Sequence, residues 1–253
     1  MLIRDVKEFI EPYVSLDIPV QYKDLEIKPI LVKDSLTFLR SYDILNIEKN
    51  RIPDAKIIQM SYLQYIVDQL MFDDTMTEFG FSAGDIWKEK FITILSLCID
   101  VKSENISLIN DGRLKITLGD KIIDADDFEN IRRIILYQNI NGFDDTPISE
   151  DFRKNLEKYY AIKNYGMKMP TMDDKMDVVM SCTSMNDKDI KNMTYRRFER
   201  VFERIVSKND YMVGALFQSQ GAKGSLEHWV FKKEKDKYSD AFTKMGAVKQ
   251  SIN

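Results

Sequence analysis

The alternation of apolar and polar positions predicts two small β-structures in an otherwise helical chain. IPVQYKDLEIKPILV alternates on both sides of Lys23-Asp24, which predicts a β-hairpin with its turn at that pair. In NISLINDGRLKITLGDKIID, Asp111-Gly112 separates two strand-like runs and Gly119-Asp120 marks a second turn. We therefore expect an N-terminal hairpin and a small central hairpin or meander.

Helical periodicity dominates the rest of the chain. RDVKEFIEPYVS predicts a short helix or arm limited by Pro12. KDSLTFLRSYDILNI predicts a helix with Leu36, Leu39 and Phe38 on its apolar side. DAKIIQMSYLQYIVDQLMF predicts one amphipathic helix with Asp54 as its N-cap. Further helices are expected over about 82–99, 126–139, 149–165, 171–184 and 194–220.

The last of these helices has the clearest amphipathic pattern. In YRRFERVFERIVSKNDYMVGALF an apolar stripe is formed by Phe198, Val201, Phe202, Ile205 and Val206. The segment QGAKGS follows it. Its order differs from a phosphate-binding loop, in which the second glycine precedes Lys-Ser/Thr, so Gly221 is interpreted as the end of the helix.

Domain organisation follows from these elements and from the loop NGFDDTPISE. The fold class is α+β, mainly α-helical. We predict an α+β N-terminal region over 1–140, a helical region over 141–220, and a flexible joint with a basic C-terminal segment over 221–253.

Composition narrows the function classes. A net charge of −4 in 253 residues does not favour a nucleic-acid partner. The longest uncharged apolar run, FITILSLCI, is far shorter than the roughly 20 residues of a membrane-spanning helix, so we expect no membrane association. Cys98 and Cys182 lack metal or redox spacing, which predicts a cytoplasmic protein with reduced thiols.

The motif search favours a non-catalytic protein without a cofactor. The sequence contains no HExxH, GxSxG, GxGxxG or paired CxxC motif, and the single histidine, His228, has no local nucleophile partner. The acidic runs DADDFE and TMDDKMD lie where helices begin, which favours capping. One alternative stays open: a metal-dependent enzyme in which Asp124, Asp126 and Asp127 converge with Asp173 or Asp174.

Two groups of residues are candidates for partner binding. Methionine is an adaptable side chain on promiscuous surfaces, and Met172, Met176 and Met180 recur at helical spacing. Tryptophan is enriched at interface hot spots. In LEHWVFKKEKDKY the candidates are His228, Trp229 and Phe231.

Several segments resemble the tail assembly chaperones and related structural proteins of phages that infect Gram-positive bacteria. The resemblance begins with LEIKPILVKDSLTFLRSYDILNIEKNRIPDAKIIQMSYLQYI. It continues through DFENIRRIILYQNI, ISEDFRKNLEKYY, PTMDDKMDVVMSCTSMNDKDIKNMTYRRFERVFERI and LEHWVFKKEKDKY. These segments follow one another from Leu25 to Tyr238 and together contain 118 of the 253 residues.

The resemblance implies a role in assembly and no chemical reaction. Such chaperones coat the helical tape-measure protein while the tail tube polymerises around it. The implied partners are the tape-measure protein, other tail proteins and further copies of the chain, in the cytoplasm of the infected host cell. The alternative is a permanent tail or baseplate subunit, which would be located in the virion.

Overall fold

The computed structural model describes residues 5–49, 52–73, 75–76, 80–145, 150–163, 165–166, 168–221, 226 and 228–230. The chain divides into two units. The first comprises Met1–Ile140 with Lys191–Arg197, and the second comprises Asn141–Ile190 with the chain from Phe198 onward. As the sequence predicts, the fold is α+β and mainly α-helical.

Helices make up most of the described residues. They are α1 (Val6–Leu16), α2 (Ser35–Ser41), α3 (Ala55–Gln59), α4 (Tyr62–Tyr65), a π-helix (Ile66–Met71), α5 (Ala83–Ile99), α6 (Ala125–Asn139), α7 (Glu150–Lys163), α8 (Met172–Cys182), α9 (Asp187–Lys191) and α10 (Tyr195–Ser219).

Two antiparallel sheets confirm the predicted β-structures, and both lie in the first unit. One pairs the first two strands, with Tyr22 opposite Leu25. Lys23 and Asp24 between them both have positive φ, as a two-residue type I′ turn requires. The other sheet is a meander of the last three strands in chain order. The strands are β1 (Val20–Tyr22), β2 (Leu25–Ile27), β3 (Ile106–Asn110), β4 (Leu114–Leu118) and β5 (Lys121–Ile123).

Helix α6 is the centre of the first unit. It contacts α1, α4, β2 and β4, and the ring of Phe128 lies 5.7 Å from that of Phe91 in α5. Its buried polar residues are bonded to the surrounding chain: the Asn139 Oδ1 atom accepts a hydrogen bond from the Ile30 N–H at 2.8 Å. Because α6 is covered on several sides, it carries much of the core.

Helix α1 continues through Pro12, so the prediction that this proline limits it was wrong. The helix runs on for four residues to Leu16. Pro12 and Glu8, one turn earlier, are both exposed. The hydrogen bond that proline removes therefore lies on the solvent side, where water can replace it.

Helix α2 buries a different face from the predicted one. Phe38 is fully buried, but Leu36 and Leu39 are exposed. The buried side instead includes Ser35 and Ser41. The short helix is covered on one side only, and its two leucines fall on the other.

The predicted single helix after Asp54 is broken once, at Met60, and its second part passes from α4 directly into the π-helix. Asp54 caps α3 as predicted, its carboxylate accepting from the Lys56 N–H. Met60 then leaves the helix with ψ 146°, and Ser61 caps α4 through the Gln64 N–H. The ammonium of the buried Lys49 donates hydrogen bonds to the carbonyl groups of Ile57 and Ile58 at the end of α3. These bonds stabilise the end of the helix at the break.

The chain returns to the first unit just before α10. The Val32 N–H donates to the Met193 carbonyl at 2.9 Å, and the Tyr195 N–H donates to the Ile30 carbonyl at 2.7 Å. The sequence placed a boundary near residue 140 but gave no sign of this return, which depends on backbone pairing between distant residues.

Candidate partner-binding surface

Helix α10 carries an apolar stripe from Phe198 to Phe217, interrupted by the exposed Asn209. The stripe begins at Phe198, which is fully buried in the second unit. On the C-terminal half, Val206 is exposed, and the next members are each more than half exposed. We define the α10 stripe as these exposed residues: Val206, Met212, Val213, Leu216 and Phe217.

The N-terminal half of α10 is held by α8. The Lys175 ammonium lies between the two carboxylate oxygens of Glu199, at 2.8 and 2.9 Å, and 5.5 Å from the centre of the Phe202 ring. Val179, one turn further along α8, is fully buried. Packing of α8 thus accounts for part of the buried section of the helix.

The segment after α10 folds back on a different side of the helix. Leu226 lies over Gly214, His228 has its ring 4.8 Å from that of Tyr211, and the Arg204 guanidinium donates to the Trp229 carbonyl at 2.8 Å. At 100° per residue, these contact positions are about 130–170° around the helix from the middle of the α10 stripe, and Gly214 is about 60° from Phe217 at its edge. The described part of the returning segment, Leu226 and residues 228–230, therefore leaves most of the stripe exposed.

The second unit buries few hydrophobic side chains within the described residues. The fully or nearly buried ones are Leu156, Val179, Ile190 and Phe198. Its exposed large hydrophobic residues are more numerous. Besides the α10 stripe they are Ile162, Tyr165, Met169 and Val230. A unit with this balance presents more apolar surface than scattered single residues would, which is typical of a binding surface.

The predicted partner-binding residues lie elsewhere in the second unit. Met172, Met176 and Met180 are half-buried on α8. Trp229 is half-buried and His228 is exposed beside Tyr211. Phe231 lies outside the described residues. The α10 stripe was missed because the sequence pattern was followed only to Val206, although the same 3.6-residue period continues to Phe217.

The acidic runs serve as helix caps, as the sequence favoured. The Asp124 carboxylate accepts from the Asp127 N–H at 2.8 Å, and Thr171 with Asp174 forms a capping box. Hydrogen bonds from Thr171 hold the pKa of Asp174 below its usual range. Among the described residues, no group of three or more His, Cys, Asp or Glu side chains could hold a metal ion.

Asp127 itself is bonded inside the first unit. It accepts hydrogen bonds from the Tyr22 hydroxyl at 2.9 Å and from the Lys23 ammonium, and the Asn130 amide donates to Tyr22 at 2.8 Å. Burial acts to raise the pKa of Asp127, but the bonds from Lys23 and Tyr22 hold that pKa below its ordinary value. Asp127 thus ties α6 to the β1–β2 turn.

The Asp127→Asn variant should be less stable by about 1.5–3 kcal/mol at neutral pH, because it loses charged hydrogen bonds. A lowered folded-state pKa adds stability above the unfolded-state value of about 4, and this stability is lost as the pH falls through the folded-state value. The difference between wild type and variant should therefore shrink below about pH 4. Urea unfolding of both proteins at a series of pH values measures this difference in stability. A difference that does not change with pH would contradict a stabilising ion pair at Asp127.

The structure also bears on the end of α10, the cysteines and membrane association. Gly221 follows α10 with φ +94°, and its N–H donates to the Gln218 carbonyl, so it ends the helix as predicted. Of the predicted flexible joint and basic segment over 221–253, residues 222–225, 227 and 231–253 lie outside the described part. Cys98 and Cys182 are both free thiols. No described helix is both long and apolar enough to cross a membrane.

Comparison with known proteins identifies no relative of the chain. No protein-family model matches the chain, and searches of curated proteins and of solved structures find no match either.

Proposed function

We propose that the chain is a non-catalytic tail assembly chaperone that binds the apolar face of a helix in the phage tape-measure protein. The observation that carries the binding part is the α10 stripe, a row of large apolar side chains left exposed on a 25-residue helix. The client is named from the sequence resemblance to phage tail assembly chaperones.

The form of the stripe favours a helical client. Its residues fall on adjacent rows spaced by three, four and seven positions, the arrangement that interdigitates with the ridges of another helix. From Val206 to Phe217 it extends over about 17 Å at 1.5 Å per residue, which matches about three turns of a partner. Helix-in-groove recognition uses anchors at this spacing.

The chemistry of the stripe suits a client that is later released. Met212 and the other members are aliphatic or aromatic, so binding comes from burial of apolar area and requires no fixed polar geometry. A contact made by one helix face has a limited area, which is the size range of weak and transient encounters. A polymerising tail tube can then displace it.

A charge in the stripe should weaken this binding. We expect Leu216→Glu to raise the Kd for the tape-measure protein of the encoding phage or prophage at least tenfold, because the carboxylate must be desolvated in the interface. The measurement is co-expression followed by affinity capture, with titration of the purified pair. Ile162→Glu is the matched control, since Ile162 is exposed on α7, outside the stripe. Equal capture of the wild type and both variants would contradict the proposed surface.

A second experiment separates a chaperone from a permanent tail or baseplate subunit. Mature particles of the encoding phage are purified and searched for the chain by mass spectrometry, and infected cells are searched in parallel. Abundance in cells with absence from particles supports the chaperone. Stoichiometric presence in particles would replace it with the virion-subunit alternative.

A further inference from the structure

Strand β3 forms an edge of the three-stranded sheet. The strand order is β3-β4-β5, so one side of β3 pairs with β4 and the other has no strand partner within the described residues. All five residues of β3 are uncharged, and Leu108 at its centre is 40% exposed. The strand thus presents backbone N–H and C=O groups beside apolar side chains.

The other edge strands in the described structure are shorter, and two of them, β2 and β5, carry a charged residue. Strand β5 has three residues, begins with Lys121 and is flanked by Asp120 and Asp124. Strands β1 and β2 also have three residues each, with Glu26 in the second. Short length and charge are the means by which proteins prevent edge-to-edge pairing. Strand β3 has neither, which points to a strand partner.

Charges of opposite sign lie just beyond the two ends of β3. Glu104 precedes the strand; its side chain is 72% exposed, and its carboxylate lies 3.9 Å from the Lys102 ammonium, at the limit of an ion pair. Arg113 follows the strand in the hairpin loop, and its guanidinium makes no ion pair with any side chain in the described ranges. An antiparallel copy of the same segment would bring these two ends together.

We propose that β3 pairs antiparallel with β3 of a second copy of the chain, across a two-fold axis at Leu108. In this register Leu108 lies opposite the partner's Leu108, and Ile106 lies opposite the partner's Asn110. Glu104 then lies opposite the partner's Gly112, which is one residue from the partner's Arg113. The symmetry makes both the strand pairing and the charge contact occur twice.

A cleft next to β3 fits this partner. Its volume is about 350 Å³, and it lies between the hairpin and the helical segment from α4 to Phe72. Its apolar lining includes Val67, Phe72, Leu108 and Leu114, with Arg113 at the hairpin end. Phe72 and Leu108 are exposed in the single chain. The partner's Leu108 would enter the cleft and cover them.

The test measures self-association of the full chain by sedimentation equilibrium up to about 100 µM, a range that detects even weak dimers. We expect a dimer for the wild type and at least a tenfold higher dissociation constant for Leu108→Lys. Ile122→Lys is the matched control because Ile122 is exposed on β5, at the opposite edge. It should leave the dimer unchanged. Thermal unfolding by circular dichroism verifies that both variants fold.

Charge exchange tests the register without touching the strand. Glu104→Arg and Arg113→Glu should each raise the dissociation constant about threefold to tenfold through like-charge contacts, and the double exchange should restore it to within about threefold. A wild type that stays monomeric overturns the proposal. A dimer that survives Leu108→Lys, or single and double exchanges that are equally weak, also overturns it. A dimer that survives Leu108→Lys and is lost in Leu216→Glu would place the contact at the α10 stripe.

Discussion

Arg132→Met should lower the free energy of unfolding by about 3–5 kcal/mol, the typical cost of removing one partner from a buried ion pair. The Arg132 side chain is 4% exposed and forms a forked contact with Glu129, with both N···O distances 2.8 Å. It also donates to the Leu45 carbonyl at 2.7 Å and lies 3.8 Å from the centre of the Tyr62 ring. Methionine fills much of the space but donates no hydrogen bond to the Glu129 carboxylate or the Leu45 carbonyl.

The two tryptophans allow this loss to be measured in one unit at a time. Trp87 lies on α5 in the first unit and Trp229 lies in the second. In a Trp229→Phe background, fluorescence during urea unfolding reports on the first unit alone. Arg40→Met, which removes the same group from an exposed position on α2, should change stability by less than about 0.5 kcal/mol.

A double variant distinguishes the buried charge from simple loss of packing. If the unpaired carboxylate of Glu129 contributes to the cost, adding Glu129→Gln to Arg132→Met should recover part of it. An Arg132→Met protein as stable as Arg40→Met would show that this network contributes little to the fold.

Gly84→Ala should destabilise the first unit by about 2–4 kcal/mol, although glycine to alanine inside a helix normally stabilises by up to about 1 kcal/mol. Gly84 lies in the first turn of α5 against the end of the π-helix. A Cβ atom there would lie 2.5 Å from the Met71 carbonyl oxygen. The Gly84 N–H also donates to the Asp73 carbonyl at 2.8 Å. Because both neighbours are backbone, the clash cannot be relieved by a side-chain rotation.

Gly214→Ala provides the matched control in α10. A Cβ at Gly214 would meet the Leu226 Cδ1 atom at 2.7 Å, the far end of a flexible side chain that can turn aside. Its effect should therefore stay within about 1 kcal/mol, as measured from Trp229 fluorescence in a Trp87→Phe background. Equal effects of the two substitutions would contradict the close approach of α5 to the π-helix.

Local features were predictable because they depend on residues close together in sequence. The turn at Lys23-Asp24, the hairpin at Asp111-Gly112 and the Asp54 cap of α3 are confirmed, and each arises from contacts within about three residues. The end of α10 at Gly221 is likewise a local feature that the sequence predicted.

The proposed chaperone function stays a prediction, since it rests partly on a resemblance.

The tertiary structure decided which predicted apolar faces became core. Phe38 is buried and Leu36 exposed on the same short helix, because only neighbouring elements determine which side is covered. Lys49 donates to the carbonyl groups at the end of α3, before the break at Met60, and the return of Lys191–Arg197 includes pairing with Ile30 and Val32. Neither contact has a local signal.

The sequence by itself therefore determined the kinds of element, their caps and turns, and the period of the α10 stripe. Only the tertiary structure decided that Phe198 is buried while Met212 to Phe217 remain exposed, and that β3 lies at a sheet edge. The physical reason is the range of the interactions. Hydrogen-bond periodicity and capping act within a few residues, whereas burial depends on segments that are distant in the chain.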